Sequence, residues 1–199
     1  MPQAPDTPRT FVAVFPPEAV AAAIDAALQR VRQPGDGVSW VRAGNVHYTL
    51  RFLGDLPPAR VAAARRACAA AVVGMAPFAI ALGATGAFPD ERRPRVFWLG
   101  AAAGGEELTL LARSLAVALE REGFPAEDKP FVPHLTMGRV RERGGRTAGE
   151  AAARLAGEAF PHAPFPVAEL VLVKSTLSPA GSRYEPLARA PLGGDPIKQ

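Results

Sequence analysis

One four-residue pattern occurs twice in the chain, as His47-Tyr48-Thr49-Leu50 and as His134-Leu135-Thr136-Met137, 134 − 47 = 87 residues apart. Each copy lies in a β-type run, Asn45 to Gly54 and Pro133 to Val140, where alternate side chains share a face. The histidine and threonine of each copy are therefore expected to point the same way. The runs upstream correspond as well. TFVAVF (10–15) and RVFWL (95–99) read as buried strands rich in β-branched and aromatic residues, and Phe11 and Val96 stand 96 − 11 = 85 residues apart. The order strand, helix, strand, His-Thr strand thus recurs, which predicts an internal duplication. Two similar α+β lobes would set their His-Thr strands against each other across a cleft. Two units are too few and too long for a solenoid.

Between these landmarks the pattern predicts a helix from Pro17 to about Arg32, with Val20, Ile24, Leu28 and Val31 at helical spacing, and a short strand over Val38 to Arg42. A second helix should run from Leu56-Pro57-Pro58 to about Val73, followed by a strand over Phe78 to Phe88. Leu108, Leu111, Leu115 and Leu119 form one stripe of a third helix within Gly104 to Gly123, and Phe124 to Pro133 reads as extended. Arg141 to Gly145 is a basic, Gly-rich loop before a short helix over Ala148 to Leu155. Phe165 to Ser175 and Arg183 to Pro191 close the chain as strands. The expected organisation is one domain over 10–192, a flexible lead-in over 1–9 and a tail over 193–199.

With 199 residues, 48% of them hydrophobic and 21% charged, the composition is that of an ordinary globular chain. The net charge of +4 favours an anionic partner without identifying one. Cys68 is the only cysteine, which excludes an intrachain disulfide; its Ala-rich helical setting reads as core. No apolar run reaches the length of a membrane span, and MPQAPDTPRT lacks the apolar stretch of a signal peptide, so a cytoplasmic location is expected.

Two imidazoles and two hydroxyls on one face suit acid–base chemistry on a group whose oxygens need hydrogen bonds, and a phosphodiester is the obvious candidate. The chain has three histidines, and His162, in the loop PHAPFP, has no partner motif. A metal would need three or four ligands, usually with carboxylate or cysteine close by, and neither motif has Asp, Glu or Cys within three residues. The expectation is a metal-free site with no cofactor. Neither a GxSxG elbow nor a GxxxxGK phosphate loop is present. By period two, Arg51 should share the face of His47 and Thr49 and contact phosphate, while Tyr48, Leu50 and Phe52 face the core. Arg139 is one residue out of phase with His134 and Thr136; a bulge permitted by Gly138 would rescue it. Lys129 reads as a rim residue, solvated or touching substrate. Arg183 and Tyr184 divide evenly between RNA contact and structure. Trp40 and Phe131 could stack on bases, although core packing is the usual fate of such residues.

These residues give the chain a resemblance to a known family. From TFVAVFPPE through SWVRAGNVHYTLRFLGDL, GAFPDERRPRVFWLG and KPFVPHLTMGRV to LSPAGSRYEPLARAPL it resembles the RNA 2′,3′-cyclic phosphodiesterases, also called 2′-5′ RNA ligases, of the two-histidine (2H) phosphoesterase superfamily. The resemblance implies a bilobal α+β fold, with two pseudo-symmetric antiparallel sheets flanking a cleft and helices outside. It implies that His47 is the proton donor and His134 the proton acceptor, with Thr49 and Thr136 holding phosphate oxygens. Arg51, Arg139, Arg183, Tyr184 and Phe131 are then the candidate substrate contacts. The implied reaction is hydrolysis of RNA 2′,3′-cyclic ends to a 2′-phosphate, with reverse 2′-5′ ligation open to the same residues. The implied partner is RNA with a cyclic end, tRNA fragments among the candidates, and the expected state is a monomer. One neutral and one protonated imidazole are needed, which the reference pKa of about 6.5 allows near neutrality and which predicts a bell-shaped pH–rate profile. Two positions depart from the family pattern: Lys174, where an acidic residue is expected before Ser175, and Gly138, where Ala is usual. The alternatives are a 2H enzyme acting on a small cyclic nucleotide or cyclic ADP-ribose phosphate, and a non-catalytic RNA-end-binding module.

Overall fold

The computed structural model describes residues 9–141, 145–178 and 181–193, with side chains at all of these except 145, 146 and 178. The expected lead-in and tail lie outside the described residues apart from Arg9 and Gly193, as does most of the Arg141–Gly145 loop.

Strand β1 (Arg9–Val14) ends at the proline pair Pro16-Pro17, and α1 (Glu18–Val31) starts on it with Glu18 in its first turn. That is where a missing N–H is harmless and a carboxylate meets the positive end of the helix dipole. β2 (Val38–Trp40) and a 3₁₀ turn over Ala43–Asn45 lead into β3 (Tyr48–Asp55), α2 (Pro58–Ala71) and β4 (Phe78–Phe88). The second half repeats this order with β5 (Val96–Ala103), α3 (Gly105–Arg121), β6 (Leu135–Val140) and α4 (Gly145–Ala156). It ends with β7 (Phe165–Val167), β8 (Glu169–Ser178) and β9 (Gly181–Pro191). The segment 124–134 contains no strand, so the second repeat has no counterpart of β2. Among the described residues no helix is long and apolar enough to cross a membrane.

The strands run in the order β7-β4-β5-β6-β3-β1-β8-β9, with β2 added on β6, and every pairing is antiparallel. Each repeat gives away its closing strand. β4 pairs with β5 of the second repeat, and β8 pairs with β1 of the first. This reciprocal exchange interlocks the two repeats. The lobes β6-β5-β4-β7 and β3-β1-β8-β9 then meet at the two His-Thr strands through a single residue pair, Tyr48 opposite Leu135.

Both of those side chains are fully buried in the large core, with Ile24 and Leu28 of α1 and Leu108, Leu111 and Leu115 of α3. β1 has apolar residues on both faces. Val12 and Val14 join that core, while Phe11 and Ala13 join Val171, Val173, Phe15 and Tyr184 in a second cluster on the opposite face. The strand expected over Phe165 to Ser175 is broken at Ala168, because β7 sits beside β4 and β8 beside β1, near opposite ends of the sheet. The nearly continuous apolar run concealed the break in the sequence, although the core-facing residues change from Phe165 and Val167 to Leu170 and Leu172 across it.

Candidate active site

Two β-bulges set the site. Val12 and Ala13 of β1 face Arg51 and Thr49 of β3, which leaves Leu50 as the extra residue. Phe97 and Trp98 of β5 face Gly138 and Thr136 of β6, which leaves Met137 as the extra residue. The two bulges fall on the fourth residue of each motif, again 137 − 50 = 87 apart. Beyond a bulge the alternation of faces is reversed. Arg51 therefore lies opposite Val12 on the core side, and Phe52 lies opposite Phe11 on the cleft side. Phe52, expected in the core, is instead 61% exposed, while Arg51 still borders the cleft cavity but is buried with its guanidinium bonded to the carbonyl of Pro125. In β6 the same reversal moves Arg139 onto the face of Thr136, as a bulge next to Gly138 was expected to do.

Tyr48 and Leu135 turn their side chains into the core, so their neighbours turn to the cleft. Continuing the antiparallel register by one residue either way from that pair sets His47 opposite Thr136 and Thr49 opposite His134. The two motifs thus lie side by side on adjacent strands, and the charge of His134 reaches His47. Both histidines stand just before their strands, and both rings are fixed in the same manner. Nδ1 of His47 lies 2.8 Å from the carbonyl of Asn45, and Nδ1 of His134 lies 2.8 Å from that of Val132. A carbonyl can only accept, so Nδ1 carries the hydrogen and Nε2 is left for the cleft.

The surroundings of the two rings differ. Phe11 at 4.9 Å, Phe15 at 5.4 Å and the edge of Tyr184 at 5.3 Å enclose His47. Burial pushes its pKa down to about 4, against the opposing pull of the Asn45 carbonyl. His134 has one aromatic neighbour, Phe88 at 5.0 Å. Its pKa is also lowered, first by burial and further by the charge of Arg139, while the Val132 carbonyl works the other way. Arg139 acts on His47 in the same sense.

Beside this pair lies a cavity of about 460 Å³ whose lining includes Thr49, Arg51, Phe52, Phe131, His134, Thr136 and Arg139. Phe131 both lines it and packs on the core, and Lys129 is exposed at its rim. Tyr184 is at the site through its ring. Arg183, one residue out of phase on β9, is exposed on the other side of that strand. Trp40 is a core residue, stacked on Phe97 at 5.8 Å with its indole N–H donating to Asp36. His162 is exposed, and Cys68 is buried with its thiol pushed up to about 12. Lys174 lies 3.8 Å from Glu185 across the β8–β9 pair. Among the described residues no group of three or more His, Cys, Asp or Glu side chains is placed to hold a metal ion.

The repeat seen in strands and bulges is matched by comparison with known proteins. The sequence pattern of the family described as LigT like Phosphoesterase matches residues 14–98 and, a second time, residues 99–184. The chain belongs to this family. Among its relatives, the RNA 2′,3′-cyclic phosphodiesterase of Thermus thermophilus is 35% identical over 197 residues, covering 94% of this chain and 91% of the relative. The protein of the same name from Thermotoga maritima is 30% identical, with 96% and 98% covered. Of solved structures, TT0787 of Thermus thermophilus superimposes with a TM-score of 0.77 at 33% identity, covering 94% of this chain and 98% of that one. E. coli LigT complexed with 3′-AMP gives 0.75 at 26% identity, with 94% and 99% covered. The bilobal fold expected from the duplication is the LigT-like fold.

Four residues at the LigT-like site escaped the sequence reading. Phe11 and Phe15 wall in His47, and Phe88 abuts His134. Their signal was available, since Phe11, Ala13 and Phe15 share a face of β1 by period two. Asn45 had no such signal. Its side-chain amide donates to the carbonyl of Ser182 at 2.9 Å and so ties the turn that holds His47 to β9.

Proposed function

We propose that this LigT-like phosphoesterase hydrolyses the 2′,3′-cyclic phosphodiester at RNA ends and leaves a 2′-phosphate. The observation that carries this reading is the pairing of Tyr48 with Leu135, which brings the two His-Thr strands side by side, with His134 close enough to act on the charge of His47. The relatives' names supply the substrate class.

In the proposed reaction Nε2 of His134, neutral at neutral pH, takes a proton from the attacking water. The new P–O bond forms as the bond from phosphorus to the 3′ oxygen breaks, and Nε2–H of His47 protonates that oxygen. Thr49 and Thr136 hold the non-bridging oxygens, and Arg139 meets the charge. With its pKa pushed down to about 4, His47 is mostly neutral at pH 7 in the free protein. The phosphodiester anion favours the imidazolium, so substrate binding and protonation of His47 go together. With a 5′ hydroxyl in place of water, the same groups form a 2′-5′ bond. His134 takes the proton of the attacking hydroxyl, the bond from phosphorus to the 3′ oxygen breaks, and His47 protonates that oxygen. The ligation and its reversal use the same residues. Both histidines and both threonines come from one chain, so a monomer suffices. A single buried cysteine and an RNA substrate fit a cytoplasmic location.

The test is incubation, in EDTA, with a short RNA ending in a 2′,3′-cyclic phosphate. Exclusive formation of the 2′-phosphate is expected. A 3′-phosphate, a mixture of the two, or no turnover contradicts the proposal.

A further inference from the structure

Arg51 was expected at the phosphate; it borders the 460 Å³ cavity, but the Leu50 bulge sets it opposite Val12, where it is buried. Its side chain is 8% exposed, and its guanidinium donates to the carbonyl of Pro125 and lies with Nε 3.4 Å from Oε1 of Glu127. Both partners belong to the segment 124–134, which forms neither helix nor strand and so lacks ladder hydrogen bonds. The same segment supplies one wall of the 460 Å³ cavity, through Lys129, Phe131 and Val132, and the Val132 carbonyl that fixes Nδ1 of His134. A second, smaller cavity of about 160 Å³ adjoins this wall, between Arg51, Ala112, Ala116, Ala126 and Phe131. The wall thus has free space beside it and a buried cation holding it.

We propose that Arg51 is a positioning residue. By clamping Pro125 and Glu127 it holds segment 124–134 in place, and through that segment it sets the substrate wall and the orientation of His134, without touching phosphate. This assignment rests on the proposed phosphodiesterase reaction for its kinetic consequence, but not for its structural one.

The experiment compares Arg51→Met, Arg51→Lys and Glu127→Gln with the wild type. It reads amide hydrogen exchange across 126–132, inhibition by inorganic phosphate, and kcat and KM on a cyclic-ended RNA. Loss of the clamp in Arg51→Met should speed exchange in 126–132 by about tenfold or more, with more protected amides of β1 and β3 unaffected. Turnover should fall by about ten- to a hundredfold through misplacement of the wall and of His134. The inhibition constant of inorganic phosphate should stay within about twofold, since no phosphate contact is lost. Arg51→Lys, which keeps a donor for Pro125, should recover part of both losses. Glu127→Gln, a change at a half-exposed side chain, should show the exchange effect in milder form even where Arg51→Met does not fold. Unchanged exchange in 126–132, or a phosphate inhibition constant raised about tenfold as for a lost charged hydrogen bond, overturns the proposal. Should the wild type itself not turn over the RNA, the reaction is misassigned, and the exchange and phosphate readouts still decide the role of Arg51.

Discussion

Tyr48 lies directly across the sheet from Leu135, and this one pair joins the two lobes. Both side chains point into the core with no exposed surface, so the residues on either side of each must point out. The result is two His-Thr motifs brought side by side by strands from the two halves of a duplication. The arrangement is symmetric in backbone and asymmetric in surroundings. Three aromatic rings surround His47 and one adjoins His134. Further along, Phe52 and Arg139 occupy matching places 87 residues apart, one apolar and one cationic.

That asymmetry has a pH signature. In the free protein His47 titrates near 4 and His134 below its ordinary 6.5. The profile of kcat/KM reports the free enzyme, so its optimum should fall between those values, below pH 6.5. Bound phosphodiester anion raises both imidazoles, so the kcat profile should lie at higher pH than that of kcat/KM. Steady-state profiles from pH 4 to 9 check this. A kcat/KM still rising between pH 6.5 and 8 would contradict it. Stability should follow the same groups. Between about 4 and 6.5 the unfolded chain binds a proton at His47 that the folded chain does not, so the stabilisation present above 6.5 is lost as pH falls through that window.

Tyr184 contributes to the burial of His47 through its ring rather than its hydroxyl. Tyr184→Ala should let water reach the imidazole and raise its pKa from about 4 towards 6.5, whereas Tyr184→Phe should leave it in place. Titration of the His47 ring protons by NMR distinguishes the two. Equal pKa values in both variants would remove the aromatic enclosure as the cause.

Arg139 is exposed on the cleft face. Arg139→Gln should lose a charge-assisted contact worth about 1.5–3 kcal/mol, a rise in KM of roughly ten- to a hundredfold. It should also raise the pKa of His134, because a neighbouring positive charge is gone. An unchanged KM would exclude Arg139 from the phosphate site.

Gly138 leaves no room for a side chain. A Cβ there would stand 2.7 Å from Cγ1 of Val38 and 2.9 Å from Cε3 of Trp40. Gly138→Ala should force β2 outwards and destabilise the fold by about 1–3 kcal/mol. Thermal unfolding should show a drop of roughly 2–4 °C for each kcal/mol. An unaltered Tm would mean that β2 yields without strain.

Much of this was legible from the chain. The helices are set by prolines and leucine stripes, which are local signals, and most strands were found within a few residues. Two histidines in matching contexts identified the site. What was hidden depends on partner strands. Period two placed Arg51 with Thr49 and Phe52 with Leu50, but the Leu50 bulge exists only relative to β1, and it exchanges the fates of Arg51 and Phe52. The break at Ala168 was hidden because β7 and β8 are both apolar and nearly continuous, although they pair with strands of different lobes and the core face shifts from Phe165 and Val167 to Leu170 and Leu172. Asn45 matters through Ser182, 137 residues away, and no local pattern encodes such a bond.

On the proposed reaction His47 and His134 form one acid–base unit across the Tyr48–Leu135 seam. Turnover of a 2′,3′-cyclic-ended RNA by His47→Ala, His134→Ala and the double variant tests this. Groups that act as a unit are non-additive, so each single change should reduce kcat by about 10²–10⁴, and the double variant should be scarcely worse than either. Losses that multiply in the double variant, or a single variant retaining wild-type turnover, would contradict the account.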